Sequence, residues 1–82
     1  MITKRQERIL KTILRLAGTD TKVILRTSIQ DTILSGKISR WEWEPTSGVP
    51  AGLPSWIYFL PEGRSEPQKM CYCEIVEISE AR

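Results

Sequence analysis

The sequence KRQERILKTILRLA at residues 4–17 is the most regular stretch of the chain, and it predicts an amphipathic α-helix. At about 100° per residue its Ile, Leu and Ala side chains share one broad face, and its Lys and Arg side chains occupy the opposite side. Thr3 and Gln6 have the spacing of a capping box, and Gly18 stands where a left-handed residue ends a helix. We therefore expect a helical segment at residues 1–18 whose apolar face covers the remaining fold.

Residues 19–82 are predicted to form mostly strands. Alternation or β-branched content marks four stretches, at residues 22–29 (KVILRTSI), 37–44 (KISRWEWE), 55–60 (SWIYFL) and 69–78 (KMCYCEIVEI). Residues 45–54 hold three prolines and two glycines and are predicted to be an irregular loop. Two interpretations stay open for residues 28–37: a short helix from Ile29 to Ser35, or a hairpin turn around Gly36.

This order of elements predicts the α+β class, with residues 1–82 as a single domain. Consecutive strands joined by short connections favour an antiparallel sheet, here of about four strands, packed against the N-terminal helix. The alternative is a winged helix-turn-helix, which requires two further helices between Thr19 and Gly36. The β-branched residues Val23, Ile24 and Thr27 favour a strand in that segment.

Length and composition exclude several classes of function. A chain of 82 residues is small enough that a partner, including a second copy in a homodimer, is expected to complete it. The absence of His removes the commonest general base and metal ligand, and Cys71 and Cys73 alone do not make a zinc site. We expect a protein that is not an enzyme and has no cofactor or metal. The sequence shows no apolar run typical of a membrane span or signal peptide, which predicts a cytoplasmic protein without a membrane partner.

The charge is unevenly distributed, although the net charge is only +2. Residues 1–40 hold nine basic and three acidic residues, whereas residues 41–82 hold three basic and seven acidic residues. The basic half predicts a polyanion-binding surface, and its candidate residues are Lys4, Arg5, Arg8, Lys11, Arg15, Lys22 and Arg26. The alternative is that the two halves neutralise each other within the fold.

A second candidate surface consists of aromatic, loop and acidic residues. Alternation places Trp41 and Trp43 on one strand face, and Val49 and Leu53 lie between prolines in the loop. The acidic residues of the second half are candidates to mimic phosphates toward a basic partner. The proposed partner-binding residues are Trp41, Trp43, Val49, Leu53, Glu62, Glu66, Glu74 and Glu77. We nevertheless expect most of the aromatic rings to form the core of the second half.

Two hypotheses of function follow. The first is a small regulatory protein, an inhibitor or adaptor, that docks onto another protein or a nucleoprotein complex. The second is a nucleic-acid-binding or transcription-regulatory protein that uses the basic helix. In its length and its compact α+β pattern the chain resembles small proteins encoded by phages and mobile elements. No motif carries that resemblance, and it implies no site residue.

Overall fold

The computed structural model describes residues 2–81, in which one α-helix precedes a five-stranded antiparallel sheet. The helix, α1, spans Lys4–Leu16. The strands are β1 (Val23–Thr27), β2 (Ile33–Glu42), β3 (Trp56–Pro61), β4 (Gln68–Cys71) and β5 (Ile75–Glu80). The predicted α+β class is confirmed, and the sheet has five strands instead of about four.

The helix follows the sequence pattern closely. Thr3 Oγ1 accepts a hydrogen bond from the backbone N–H of Gln6 at 3.0 Å, and Gln6 Oε1 accepts one from the backbone N–H of Thr3 at 2.9 Å. Gly18 adopts a φ of 75° just after the helix end. The buried face of α1 consists of Ile9, Leu10, Ile13 and Leu16. The predicted capping box is therefore confirmed, and so is the apolar face except for Leu14, which is 40% exposed.

Of the two interpretations of residues 28–37, the short helix is wrong, and the hairpin is correct except for the position of its turn. β1 and β2 form a hairpin whose turn lies at residues 28–32, and Gly36 lies inside β2, opposite Val23. Gln30 and Asp31 carry the reversal with φ values of 55° and 52°. Neither residue is a glycine, so the turn lacks the usual sequence signal for positive φ. Because this segment is a hairpin, α1 is the single α-helix among residues 2–81, and nothing supports the winged helix-turn-helix alternative.

The predicted last strand, residues 69–78, is two strands that lie at opposite edges of the sheet. The strand order is β4-β3-β2-β1-β5, and a 3-10 turn at Tyr72–Glu74 joins β4 to β5. In a flat sheet the first and fifth strands lie about 19 Å apart. A three-residue 3-10 turn rises only about 6 Å. The sheet therefore curls into a partly closed barrel with an inner and an outer face.

The inside of this barrel is mainly aliphatic. Its buried strand residues are Val23, Leu25, Ile38, Ile57, Phe59, Met70 and Ile75, and α1 adds its apolar face to them. Phe59 is the one fully buried aromatic ring among the described residues, whereas Trp43 is 40% exposed. The expectation that most aromatic rings fill the core is therefore wrong. Ile, Leu and Val side chains fill the narrow interior, and several rings lie elsewhere.

Gly36 is the point at which β2 changes its neighbour. Before it, β2 pairs only with β1, and from Gly36 to Glu42 it pairs with β3. A Cβ atom at Gly36 would lie 2.1 Å from the backbone oxygen of Leu60 and 2.9 Å from Phe59 Cζ. The first contact is with backbone, which has no alternative rotamer, so any side chain forces β2 and β3 apart.

Gly36→Ala is expected to destabilise the fold by about 3 kcal/mol or more, because overpacking against backbone is at the upper end of the usual cost. Chemical denaturation followed by circular dichroism measures the change. Gly52→Ala is the matched control, since Gly52 has a φ of 90° but no atom within 4 Å of the added Cβ. The control is expected to lose about 1–2 kcal/mol. Equal losses in the two variants would contradict the close approach of β2 and β3.

Candidate functional site

The proposed polyanion-binding residues are largely engaged in ion pairs within the fold. Lys11 Nζ lies 3.0 Å from Glu7, whereas other basic residues of the set pair with carboxylates of the second half of the chain. Those pairs are Arg5–Glu77, Arg15–Glu80, Lys22–Glu62 and Arg26–Glu77. Five of the seven candidates are therefore paired. This arrangement matches the alternative in which the two halves neutralise each other.

Lys4 and Arg8 are the two members of the basic set without an ion pair to a carboxylate of residues 2–81. Both are exposed on α1. Two such cations, one helical turn apart, offer about two phosphate contacts, and the remaining stripe is already compensated. The helix alone is therefore a weak polyanion-binding surface.

The acidic candidates are divided between paired and unpaired positions. Glu62 and Glu77 belong to the ion pairs with Lys22 and Arg26. Glu66 is exposed between β3 and β4. Glu74 is half-buried in the 3-10 turn, where its backbone oxygen accepts a hydrogen bond from the N–H of Ser28. Two of the four carboxylates are therefore already compensated by cations of the fold.

The apolar candidates lie mostly against the core. Val49 is 4% exposed and belongs to the buried cluster, and Leu53 is half-buried against that cluster. Trp41 is half-buried and lies opposite Ile57 of β3, on the inner side of the sheet. Trp43 Nε1 donates a hydrogen bond to the backbone oxygen of Val49 at 2.8 Å, which anchors the loop at residues 45–54. Val49 therefore offers a partner little surface, because its side chain is almost entirely inside the fold.

A different set of residues meets on the outer face of the barrel. Trp56 and Tyr58 alternate along β3 and lie opposite Glu42 and Arg40 of β2. On the other side of β3, Lys69 of β4 lies opposite Tyr58. Directly opposed residues of antiparallel strands point to the same face. We call this set the aromatic cluster, and its members are Arg40, Glu42, Trp56, Tyr58 and Lys69.

The rings of the aromatic cluster are held by polar and cationic contacts. Tyr58 donates its hydroxyl proton to Glu42 Oε1 at 2.7 Å, and Trp56 Nε1 donates to Glu44 Oε2 at 3.2 Å. Arg40 Cζ lies 3.8 Å from the centre of the Tyr58 ring, and Lys69 Nζ lies 4.6 Å from the centre of the Trp56 ring. Each ring thus has a fixed edge and a cation on one face.

Glu42 forms an ion pair with one of the two cations of the cluster. The hydrogen bond from Tyr58, followed by that from Arg40, lowers the pKa of the Glu42 carboxyl below its ordinary value. Arg40 Nη1 lies 2.8 Å from Glu42 Oε1, so the pair neutralises itself. Lys69 makes no ion pair with a carboxylate of residues 2–81, although its charge also contributes to the lowered pKa of Glu42.

The sequence predicts the strands that contain the members of this cluster, but it does not predict that the members lie together. The segment SWIYFL has apolar residues on both faces of the predicted strand, which correctly indicates an interior strand of the sheet. Its inner residues, Ile57 and Phe59, are fully buried, whereas Trp56 and Tyr58 are half-buried on the outside. The sequence did contain an indication of the cluster: its aromatic residues face a side of the sheet that the single predicted helix is too small to cover.

The described residues contain no group of three or more His, Cys, Asp or Glu side chains able to hold a metal ion. No helix in residues 2–81 has the length and apolarity needed to cross a membrane. No protein-family model, curated protein or solved structure matches the chain. The site is therefore interpreted from its own geometry.

Tyr58→Phe is expected to raise the pKa of Glu42 toward its ordinary value of about 4.3 while keeping the ring and the Arg40 contact. The native hydrogen bond favours the charged carboxylate, so it stabilises the fold at pH values above that ordinary pKa. The contribution is lost as the pH falls through the lowered pKa. An NMR titration of the Glu42 side-chain carboxyl carbon measures the change.

Tyr72→Phe is the matched control, since the Tyr72 hydroxyl donates instead to the backbone oxygen of Ser47, at 3.4 Å. The control is expected to leave the Glu42 titration unchanged. An unchanged titration in Tyr58→Phe, or an equal shift in both variants, would contradict the assigned hydrogen bond.

Proposed function

We propose that this protein is a small non-catalytic binding protein that docks onto another protein through the aromatic cluster. The observation that carries the proposal is the pair of rings, Trp56 and Tyr58, held side by side on the outer face by contacts to Glu44, Glu42 and Arg40. Trp, Tyr and Arg are the residues that most often dominate the binding energy of protein interfaces.

The fixed geometry of the cluster favours binding. Each ring has its polar atom satisfied by a carboxylate and one face covered by a cation, so few rotamers remain to be frozen by a partner. A rigid Trp or Tyr side chain gives a large contact area at a low entropic cost. The surface is therefore organised before any partner arrives.

The charge of the cluster favours a protein over nucleic acid. Glu42 compensates Arg40, and Glu44 lies beside Trp56, so a phosphate backbone meets carboxylates next to the rings. Along α1 the basic stripe is mostly paired, with Lys4 and Arg8 as the exceptions noted above. The partner that fits has an apolar patch for the rings and a carboxylate that reaches Lys69. An inhibitor and an adaptor both require docking of this kind.

The Trp56→Ser/Tyr58→Ser double variant is expected to lower affinity for the protein partner by about 30-fold or more, which corresponds to a hot spot of about 2 kcal/mol. The measurement cross-links each variant to its partner in nuclease-treated extract of the source cells. It then quantifies how much of the same partner protein the wild type and each variant retain. Ile33→Ser is the matched control, because Ile33 is an apolar residue, 66% exposed, outside the cluster. Circular dichroism verifies that each variant is folded.

The competing hypothesis is tested on the same proteins with labelled single- and double-stranded oligonucleotides. We expect no binding at physiological salt from the wild type, and no change of partner retention in Arg8→Glu/Lys11→Glu. Oligonucleotide binding that survives physiological salt and is lost in that helix variant would replace the proposal with direct nucleic-acid binding. Equal loss of the partner in the Ile33→Ser control would remove the cluster as the docking site.

A further inference from the structure

Cys71 and Cys73 lie much closer together than their place in a predicted strand implies. An extended segment separates the Cα atoms of residues i and i+2 by about 6.6 Å, near the upper limit of about 6.8 Å for a disulfide. Here Cys71 ends β4, and Tyr72–Glu74 forms a 3-10 turn, whose smaller rise shortens that separation. The two Sγ atoms are 2.8 Å apart and share a hydrogen bond. The turn that joins β4 to β5 thus also creates a paired dithiol.

The dithiol is open to small molecules. Cys73 is exposed and Cys71 is half-buried. Both line a cavity of about 240 Å³ together with Glu44, Ser47, Ser55, Trp56 and Tyr72. A low-molecular-weight reagent therefore reaches both sulfur atoms from one side, without any opening of the core.

We propose that Cys71 and Cys73 form a reversible dithiol–disulfide site whose co-substrate is a low-molecular-weight disulfide. Cys71 loses its proton and attacks one sulfur of the external disulfide, whose S–S bond breaks and releases one thiolate. Cys73 then loses its proton and attacks the Cys71 sulfur, so the mixed disulfide breaks and a second thiolate leaves. The two cysteine protons end on the two released thiols. The cysteine pair is oxidised by two electrons, and the external disulfide is reduced by the same two.

The surroundings assign different roles to the two thiols. The hydrogen bond with Cys71, partial burial and the nearby charges of Cys71 and Glu74 raise the pKa of Cys73 to about 11. Cys73 therefore keeps its proton while Cys71 is a free thiol, and the first attack falls to Cys71. Once Cys71 is bonded in the mixed disulfide, the Cys71 hydrogen bond and charge that raise the pKa of Cys73 are gone, so Cys73 then loses its proton. Cys73 acts second, on a sulfur atom already held beside it. This second step is intramolecular, and the 2.8 Å separation of the two Sγ atoms makes it fast relative to attack on the mixed disulfide by another external thiol.

The test incubates the full-length protein with glutathione disulfide, traps free thiols with iodoacetamide and measures intact mass. The wild type is expected to lose about 2 Da, to resist alkylation at both cysteines and to recover both thiols with dithiothreitol. Cys73→Ser is expected to accumulate the glutathione adduct of Cys71 at least about tenfold more than the wild type, since it has no second thiol. Circular dichroism confirms that the variant is folded.

Two results would overturn the inference. One is a wild type whose two cysteines stay fully alkylated after excess glutathione disulfide. The other is a wild type that accumulates the glutathione adduct as strongly as Cys73→Ser, or forms only disulfides between two chains. The inference does not depend on the docking proposal, because its readout is the covalent state of the two cysteines.

Discussion

The close approach of Gly36 to the backbone of Leu60 is the constraint on which the rest of the fold depends. At this residue β2 changes from pairing with β1 alone to pairing with β3, so one long strand serves both parts of the sheet. The sheet is curved enough for a three-residue turn to join β4 to β5. The outer aromatic cluster lies on β2, β3 and β4, and the paired cysteines lie at the end of β4 and in the turn that follows it.

Ion pairs also connect α1 to the sheet. Arg5 and Arg15 of α1 pair with Glu77 and Glu80 of β5, and Arg5 also donates a hydrogen bond to the backbone oxygen of Val76. Exposed pairs of this kind each contribute little to stability. Their larger consequence is for function, because they neutralise a charge asymmetry that in the sequence alone favours a polyanion-binding helix. The surface that remains distinctive is aromatic.

Features encoded by near neighbours in the chain were predictable, and features encoded by distant contacts were not. The capping box at Thr3 and the periodic face of α1 fixed the helix, since both depend on residues within a few positions. The hairpin turn was missed because Gln30 and Asp31 adopt positive φ without being glycines. The break at Tyr72–Glu74 was missed because it depends on the curvature of the whole sheet, which strand pairings between residues distant in sequence determine. The aromatic cluster needs the same register information, since its members come from three strands.

The central claim is that the folded chain presents Trp56 and Tyr58 on its outer face with a cation already stacked on each ring. The most direct measurement is an NMR assignment of the side-chain protons of Arg40 and Lys69 in the free protein. The δ protons of Arg40 and the ε protons of Lys69 should be shifted upfield by the ring currents of Tyr58 and Trp56. Replacing the corresponding ring with Leu should abolish each shift. Random-coil shifts for both groups in the folded wild type would contradict a preorganised cluster.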